Sequence, residues 1–255
     1  MSIHQAAAQG YEVSADSYER GRPEYPSEAV QHLVGALRIR EGTAVLDLGA
    51  GTGKFTKQLA SSGAHLFAVE PVKAMRDKLA EKLPSATVLD GTAEAIPLKS
   101  SSLDVVVVAQ AFHWFDGTRA LAEIGRVLKP GGRLGLVWNV RDESVDWVSQ
   151  LTKLVDPHEG RTPRYRTSPW RRAFDRSNGF TPLEAKHFHH VHRGPPQMVV
   201  DRVASISFIA ALPETERNGI LAQVRHLLST HPETRGHTEV DFHYRTDTFV
   251  CSSMA

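Results

Sequence analysis

The sequence predicts an open, mostly parallel α/β sheet. Strand and helix patterns alternate regularly between residues 43 and 138, a run of four valines marks a strand buried on both faces, and a glycine cluster closes the first strand. Taken in order, the aromatic segment Tyr18 to Tyr25 ends at Pro26, and Ser27 looks like the N-cap of a helix over Glu28–Leu37. Thr43–Leu48 is a compact apolar strand that runs into glycines. Lys54–Ser61 reads as a helix closed by Gly63, His65–Glu70 as the second strand, and Lys73–Leu83 as a helix with apolar residues four apart at 75, 79 and 83. Ala86–Leu89 is the third strand. Leu103–Gln110, with Val105 to Val108 at its centre, is the fourth. Ala120, Leu121, Ile124, Val127 and Leu128 form one helical stripe, Pro130-Gly131-Gly132 reads as its stop, and Arg133–Trp138 is the fifth strand.

After Asn139 the alternation fails. A helix is expected at Val145–Val155 inside an insertion over 142–178, placed near the strand C-termini, where ligands bind in such sheets. Leu183–His192 and Val240–Phe249 read as late strands, separated by a helical region over Gln197–Ser229, and complete the sheet with one antiparallel edge.

Composition narrows the class. The 255 residues are 41% hydrophobic and 23% charged with a formal charge of +1, so no global field favours nucleic acid or a membrane surface. The single cysteine, Cys251, makes neither an internal disulfide nor a multi-thiolate metal site. The longest apolar stretch, Leu103 to Phe112, is far short of the ~20 residues of a spanning helix, and Met1 to Asp16 lacks a signal-peptide pattern. A cytoplasmic globular protein is expected.

The stretch Val45-Leu46-Asp47-Leu48-Gly49-Ala50-Gly51-Thr52-Gly53 carries the most information. Alternate glycines let the backbone turn tightly and approach a ligand closely, and Glu70, at the end of the second strand, is placed to accept both hydroxyl protons of a ribose. This order of elements points to a nucleoside cofactor. A dinucleotide loop wants G-x-G-x-x-G, whereas the spacing here is G-x-G-x-G with Lys54 where the third glycine should stand. Asp47 lies where a pyrophosphate would be repelled and an ammonium welcomed. S-adenosylmethionine has a sulfonium, an ammonium and a ribose but no phosphate, so it suits this loop better.

With these pieces the chain resembles the class I S-adenosylmethionine-dependent methyltransferases, more narrowly the small-molecule group that includes methyltransferase type 11 and trans-aconitate methyltransferase-like enzymes. The matching segments are Val45–Gly53, Val69-Glu70-Pro71, Asp90-Gly91-Thr92-Ala93-Glu94 with Ile96-Pro97, Gln110-Ala111-Phe112-His113-Trp114 and Val127-Leu128-Lys129-Pro130-Gly131-Gly132. The resemblance implies a Rossmann-like, seven-stranded, mostly parallel sheet with helices on both faces, a helical lid or insertion, and the last strand pair reversed. It implies one domain over 1–255: lid helices over 1–40, a cofactor core over 41–140, an acceptor-side insertion over 141–180, and strands and helices completing the sheet over 181–255. By the same resemblance Asp47, Gly49, Ala50 and Gly51 hold the methionine moiety, Glu70 the ribose, and Met75, Ala93 and Glu94 the adenine. Gln110 and Ala111 lie beside the sulfonium, and Tyr18 and Arg22 are lid residues that contact the cofactor.

Methyl transfer needs alignment of donor and nucleophile, and a base only when the acceptor must lose a proton. His113 is the candidate base, with a packing role beside Phe112, Trp114 and Phe115 as the alternative. Trp114, Trp138 and Asn139 are expected to wall the acceptor pocket. The segment Arg161–Arg172 invites three readings: a carboxylate clamp, an RNA-binding strip using Tyr165 and Trp170, or a solvated lid face. His187, His189, His190 and His192 alternate between the two faces of a strand, so no metal site is expected. The expected activity is transfer of a methyl group to a small molecule, at oxygen and on a carboxylate. The alternatives are an RNA methyltransferase and a cofactor-binding regulator without catalysis. No membrane or nucleic-acid partner is expected, and the chain is read as a monomer or homodimer.

Overall fold

The computed structural model describes residues 21–167 and 169–254. Its strands are β1 (Ala44–Leu48), β2 (His65–Val69), β3 (Thr87–Leu89), β4 (Leu103–Ala109), β5 (Leu128–Arg141), β6 (Glu184–Gly194) and β7 (Val240–Ser252), in the order β3-β2-β1-β4-β5-β7-β6. The helices are α1 (Ser27–Ala36), α2 (Lys54–Leu59), α3 (Lys73–Lys82), α4 (Gly117–Val127), α5 (Asp146–Val155), α6 (Arg171–Asp175), α7 (Pro196–Ala204), α8 (Ser207–Ala210) and α9 (Glu214–Thr230). The expected seven-stranded, mostly parallel sheet is present.

β1 runs parallel to β2 (Ala44 beside His65 through Leu48 beside Val69) and to β4 (Val45 beside Val105). The reversed strand is β7: Asp142 N–H donates to His243 O (3.1 Å) and Ser253 N–H to Gly132 O (2.8 Å), so residue numbers fall on β7 as they rise on β5. The antiparallel strand lies between β5 and the edge strand β6, so the late strands complete the sheet with one antiparallel edge, as expected.

Two local expectations change. Ser27 is the first helical residue rather than the cap; Pro26 precedes α1 with extended backbone, and the Ser27 hydroxyl turns to Glu28. Pro130-Gly131-Gly132 interrupts β5 without ending it. The pairing jumps from Leu103 beside Leu128 to Val105 beside Arg133, so these residues bulge out and the strand resumes.

The chain divides into two compact units. The larger comprises Glu24–Trp138, Pro163–Phe188 and the chain from Thr246 onward. Its core packs Val45, Val105, Val107 and Val137 against Leu33 of α1, Leu37 just after it, and Phe55 and Leu59 of α2. All four consecutive valines are buried, as a strand covered on both faces requires. The strand order reverses at β1 and β4, and this opens a crevice at the C-terminal ends of those strands. The second unit comprises 21–23, Asn139–Thr162 and His189–Arg245. It gathers Val148 and Leu151 of α5, Val199 and Val203 of α7, Val224 and Leu228 of α9, and Phe242 and Tyr244 of β7.

Candidate active site

The glycine loop emerges from β1 into that crevice. Gly49, Gly51 and Gly53 all adopt positive φ (73°, 58° and 81°), backbone that other residues enter at a cost. A methyl group on Gly49 would come within 2.8 Å of the Ala111 Cβ and 3.3 Å of the Phe115 ring, so only glycine lets the loop rest against the segment after β4. The loop is tied to β2 as well: Gly49 and Ala50 N–H both donate to Val69 O (2.8 and 3.2 Å).

Asp47 is buried at the end of β1. Thr56 O–H of α2 donates to its Oδ2 at 2.7 Å, while its Oδ1 is sealed from solvent without a hydrogen-bond partner among the described residues. Burial pushes this carboxyl from 3.8 up to about 7, with the neighbouring Glu70 adding to the rise and the Thr56 hydrogen bond opposing it. The negative charge that the sequence assigns to the loop is thus conditional. It develops fully only when a cation or donor reaches Oδ1.

Glu70 follows β2 and is also buried. Its Oε2 accepts from Gly51 N–H and its Oε1 from Val72 N–H, both at 2.8 Å, and burial raises its pKa against these bonds. Each oxygen keeps a further lone pair for a ribose hydroxyl. Met75 on α3 and Ala93 are buried in the same unit. Glu94 is half-buried, and its Oε1 accepts from Asp116 N–H at 3.0 Å, just ahead of α4.

β4 delivers the next residues. Gln110 holds a left-handed backbone (φ 59°), rare for a residue with a Cβ, while its N–H donates to Val137 O at 2.8 Å. Such strain persists only where surrounding structure imposes it. The turn presents Ala111 to Gly49 and leads into a short 3-10 segment, Phe112–Trp114. There the Trp138 indole N–H donates to His113 Nδ1 at 3.2 Å, and the Trp114 ring lies 5.1 Å from the imidazole. Indole nitrogen is a donor only, so His113 Nδ1 is the acceptor and the neutral ring carries its proton on Nε2.

The buried Trp138 ring is covered by the segment that the sequence left open among three readings. Tyr165 and Trp170 lie 4.9 and 4.8 Å from it, and Phe249 approaches edge-on at 6.0 Å. Arg171 stacks over Trp170 and Phe249 (5.1 and 4.9 Å). Tyr165 O–H donates to Asp247 Oδ2 at 2.7 Å, and His187 Nδ1 meets Asp247 Oδ1 at 2.7 Å. Sequence reasoning missed this buried carboxylate. Its signal was an acid between Thr246 and Thr248, just ahead of the apolar run Phe249-Val250-Cys251.

Of the residues expected at the site, Asp47, Gly49, Ala50, Gly51, Glu70, Met75, Ala93, Glu94, Gln110, Ala111, His113, Trp114 and Trp138 all belong to the larger unit. Arg22 and Asn139 fall in the other; Arg22 is engaged with Ser205, its Nε donating to Oγ (3.3 Å) and its Nη2 to the carbonyl (3.1 Å). Tyr18 lies outside the described residues.

The orphaned Asp47 Oδ1 tests the cofactor. It asks for a cationic donor, which the ammonium of S-adenosylmethionine provides and a pyrophosphate does not. Together with the ribose-ready Glu70, the residues fit that cofactor.

Comparison with known proteins agrees. The sequence profile of a family described as a methyltransferase domain matches residues 46–136. An uncharacterised methyltransferase of Mycobacterium tuberculosis is 45% identical over 217 residues, covering 85% of this chain and 84% of its own. An uncharacterised methyltransferase-like protein of Schizosaccharomyces pombe is 35% identical over 240 residues, 94% of this chain and 93% of its own. Among solved structures, a type II methyltransferase candidate from Anaeromyxobacter dehalogenans shares 25% identity with a TM-score of 0.66, over 91% of this chain and 97% of its own. A geranyl diphosphate methyltransferase solved with S-adenosylmethionine shares the fold at 14% identity and a TM-score of 0.52, over 90% of this chain and 85% of its own. The chain belongs to the class I S-adenosylmethionine-dependent methyltransferases, and S-adenosylmethionine is its cofactor.

Proposed function

We propose that this methyltransferase acts on an oxygen of a small-molecule acceptor, and that the oxygen belongs to a carboxylate. The reading is carried by the Trp138–His113 hydrogen bond. Because Trp138 occupies Nδ1 and the proton sits on Nε2, His113 is set to donate rather than to remove a proton. An acceptor at such a site arrives already ionised, and near neutral pH a carboxylate does so whereas an alcohol does not. When bound, the cofactor supplies a sulfonium-activated methyl carbon, and its transfer to oxygen leaves a neutral thioether. The chain's own part is positional. Asp47 holds the ammonium and Glu70 the ribose, with Met75, Ala93 and Glu94 around the adenine. Gln110 and Ala111 set the edge along which the acceptor approaches. Trp114 walls the His113 side, and Asn139 continues the strand that carries Trp138.

RNA as acceptor finds no support in the arginine-rich segment. Trp170 is buried, and both aromatic residues of the segment pack against Trp138 within the protein rather than standing clear of it. A methyl-transfer screen with labelled cofactor against carboxylic acids, phenols, amines and total RNA tests the reading. Base-labile label on a carboxylic acid is expected. Label confined to amines, phenols or RNA refutes it. With the true acceptor, His113→Gln, which keeps a donor near Nε2, retains more turnover than His113→Ala.

A further inference from the structure

We infer that Asp247 is a positioning residue of the methyl-transfer site, which fixes the His113 imidazole through Tyr165 and Trp138. Its bearing on turnover rests on the donor role proposed for His113; the geometry it imposes does not.

All of the groups involved belong to the larger unit. Side chains two apart on a strand share a face, so Asp247 and Phe249 of β7 point the same way. Phe249 packs edge-on against Trp138, and Asp247 Oδ2 accepts from the Tyr165 hydroxyl at 2.7 Å. β6 secures the carboxylate as well. Thr248 O–H donates to Lys186 O at 2.9 Å, and His187, next along β6, brings its Nδ1 to 2.7 Å from Asp247 Oδ1. A carboxylate only accepts, so this nitrogen carries a proton. Asp247 is fully buried, whereas the His187 side chain is half-exposed.

Tyr165 is held at both ends. Its hydroxyl rests on Asp247, and its backbone carbonyl accepts from the Trp170 indole N–H at 3.1 Å. Burial and Asp247 push the phenol up to about 12, against the opposing pull of Arg171, which also hydrogen-bonds it. The phenol therefore keeps its proton and donates. Between the two anchors its ring packs 4.9 Å from Trp138, whose N–H meets His113 Nδ1 at 3.2 Å. That last bond sits at the long end of the hydrogen-bond range, and a slide of about 0.4 Å breaks it.

Apolar packing alone does not hold a distance so closely. Hydrophobic contact is non-directional, and aromatic pairs tolerate a range of offsets. A hydrogen bond at the rim of the Tyr165 ring stops it from sliding, and the ring in turn confines Trp138. Burial of a carboxylate is costly, and an apolar side chain of similar volume is often as stable or more so. What Asp247 adds to this cluster is direction, passed from β7 to the indole N–H and from there to the proton position on His113.

NMR of the full-length protein labelled with 15N in tryptophan and histidine tests the inference. The chain has four tryptophans, and Trp138→Phe assigns the Trp138 indole signal by its loss. Trp147, in the core of the other unit, is the internal control. In Tyr165→Phe, which keeps the ring and loses only the hydroxyl, the Trp138 N–H is expected to exchange about tenfold faster. The His113 nitrogens should move toward a mixture of tautomers, while Trp147 stays unchanged. Asp247→Leu should do the same, and Asp247→Asn, which keeps an oxygen for Tyr165, should restore the wild-type signals. Should the Asp247 variants fail to fold, Tyr165→Phe decides. With an acceptor found in the labelled-cofactor screen, Tyr165→Phe should lower kcat about tenfold with the acceptor KM within about twofold, and cost nothing further in a His113→Ala background. Wild-type indole and imidazole signals in Tyr165→Phe overturn the inference, as does an equal kcat loss in both backgrounds. If His113→Ala itself turns over normally, the donor role fails, and the NMR signals still decide the geometry.

Discussion

Exchanging Asp47 for asparagine separates two roles that the carboxyl combines. A rise from 3.8 to about 7 corresponds to roughly 4 kcal/mol of penalty on the ionised form in the free protein. Between about pH 4 and 7 the native state keeps a proton that the unfolded chain has released. Stability therefore falls as pH rises through that window and levels off above about 7. Asp47→Asn removes the charge, keeps an oxygen for the Thr56 hydroxyl, and leaves a buried amide that itself costs about 1–3 kcal/mol. The free variant is thus expected to be more stable than wild type at pH 8 by about 1–3 kcal/mol, with the advantage vanishing between about pH 4.5 and 6 and the variant becoming the less stable protein near pH 4, where only the amide's cost remains. Cofactor affinity moves the other way, because Oδ1 no longer offers a charge to the ammonium. Wild-type affinity should weaken about tenfold between pH 7.5 and pH 6 as Asp47 takes up its proton, whereas the variant shows weak binding with little pH dependence over that range. Denaturant unfolding across pH and calorimetry with S-adenosylmethionine read both quantities. Equal stability of the two proteins at pH 8, or equal cofactor affinity at neutral pH, refutes the reasoning.

Gly49→Ala pushes a methyl group to 2.8 Å from Ala111 at a φ of 73°, so a loss of about 2 kcal/mol or more in denaturant unfolding is expected, with cofactor binding impaired. Trp138→Phe keeps a ring in the aromatic cluster but deletes the N–H that fixes His113; with the acceptor bound, kcat should fall while the cofactor Kd stays within about twofold. Burial pushes the Cys251 thiol up to about 12, so a thiol reagent at pH 8 should label the native protein slowly and the unfolded chain at once. Tyr165→Phe removes a hydrogen bond to the buried Asp247 carboxylate; a cost of about 1–3 kcal/mol is expected, together with a shift in tryptophan emission from Trp138 and Trp170.

Much of the sheet is legible because its cues are local. The valine run, the alternate glycines and Glu70 after β2 each identify an element within a few residues, and the structure places all of them in one unit. Pro130-Gly131-Gly132 misled for the same reason: locally it reads as a stop, and only pairing with β4 shows the strand passing through it. The contacts that give side chains their chemical state are long-range. Trp138 fixes the proton on a histidine 25 residues away, and Asp247 bonds Tyr165 across 82 residues. No spacing rule encodes such meetings. The arginine-rich segment illustrates the limit, since its composition suited a clamp, an RNA strip or a solvent face, and Arg171 instead lies over two aromatic rings.

A carboxyl poised to titrate at about 7 makes occupancy of the crevice a proton-linked event. Near neutrality roughly half the molecules must shed a proton into the medium as the ammonium arrives, and must take one back when the spent nucleoside departs. The apparent heat of loading will then differ between phosphate and Tris by a fraction of the difference in their ionisation enthalpies. In a weakly buffered solution, mixing protein with ligand should acidify the sample measurably before any turnover begins.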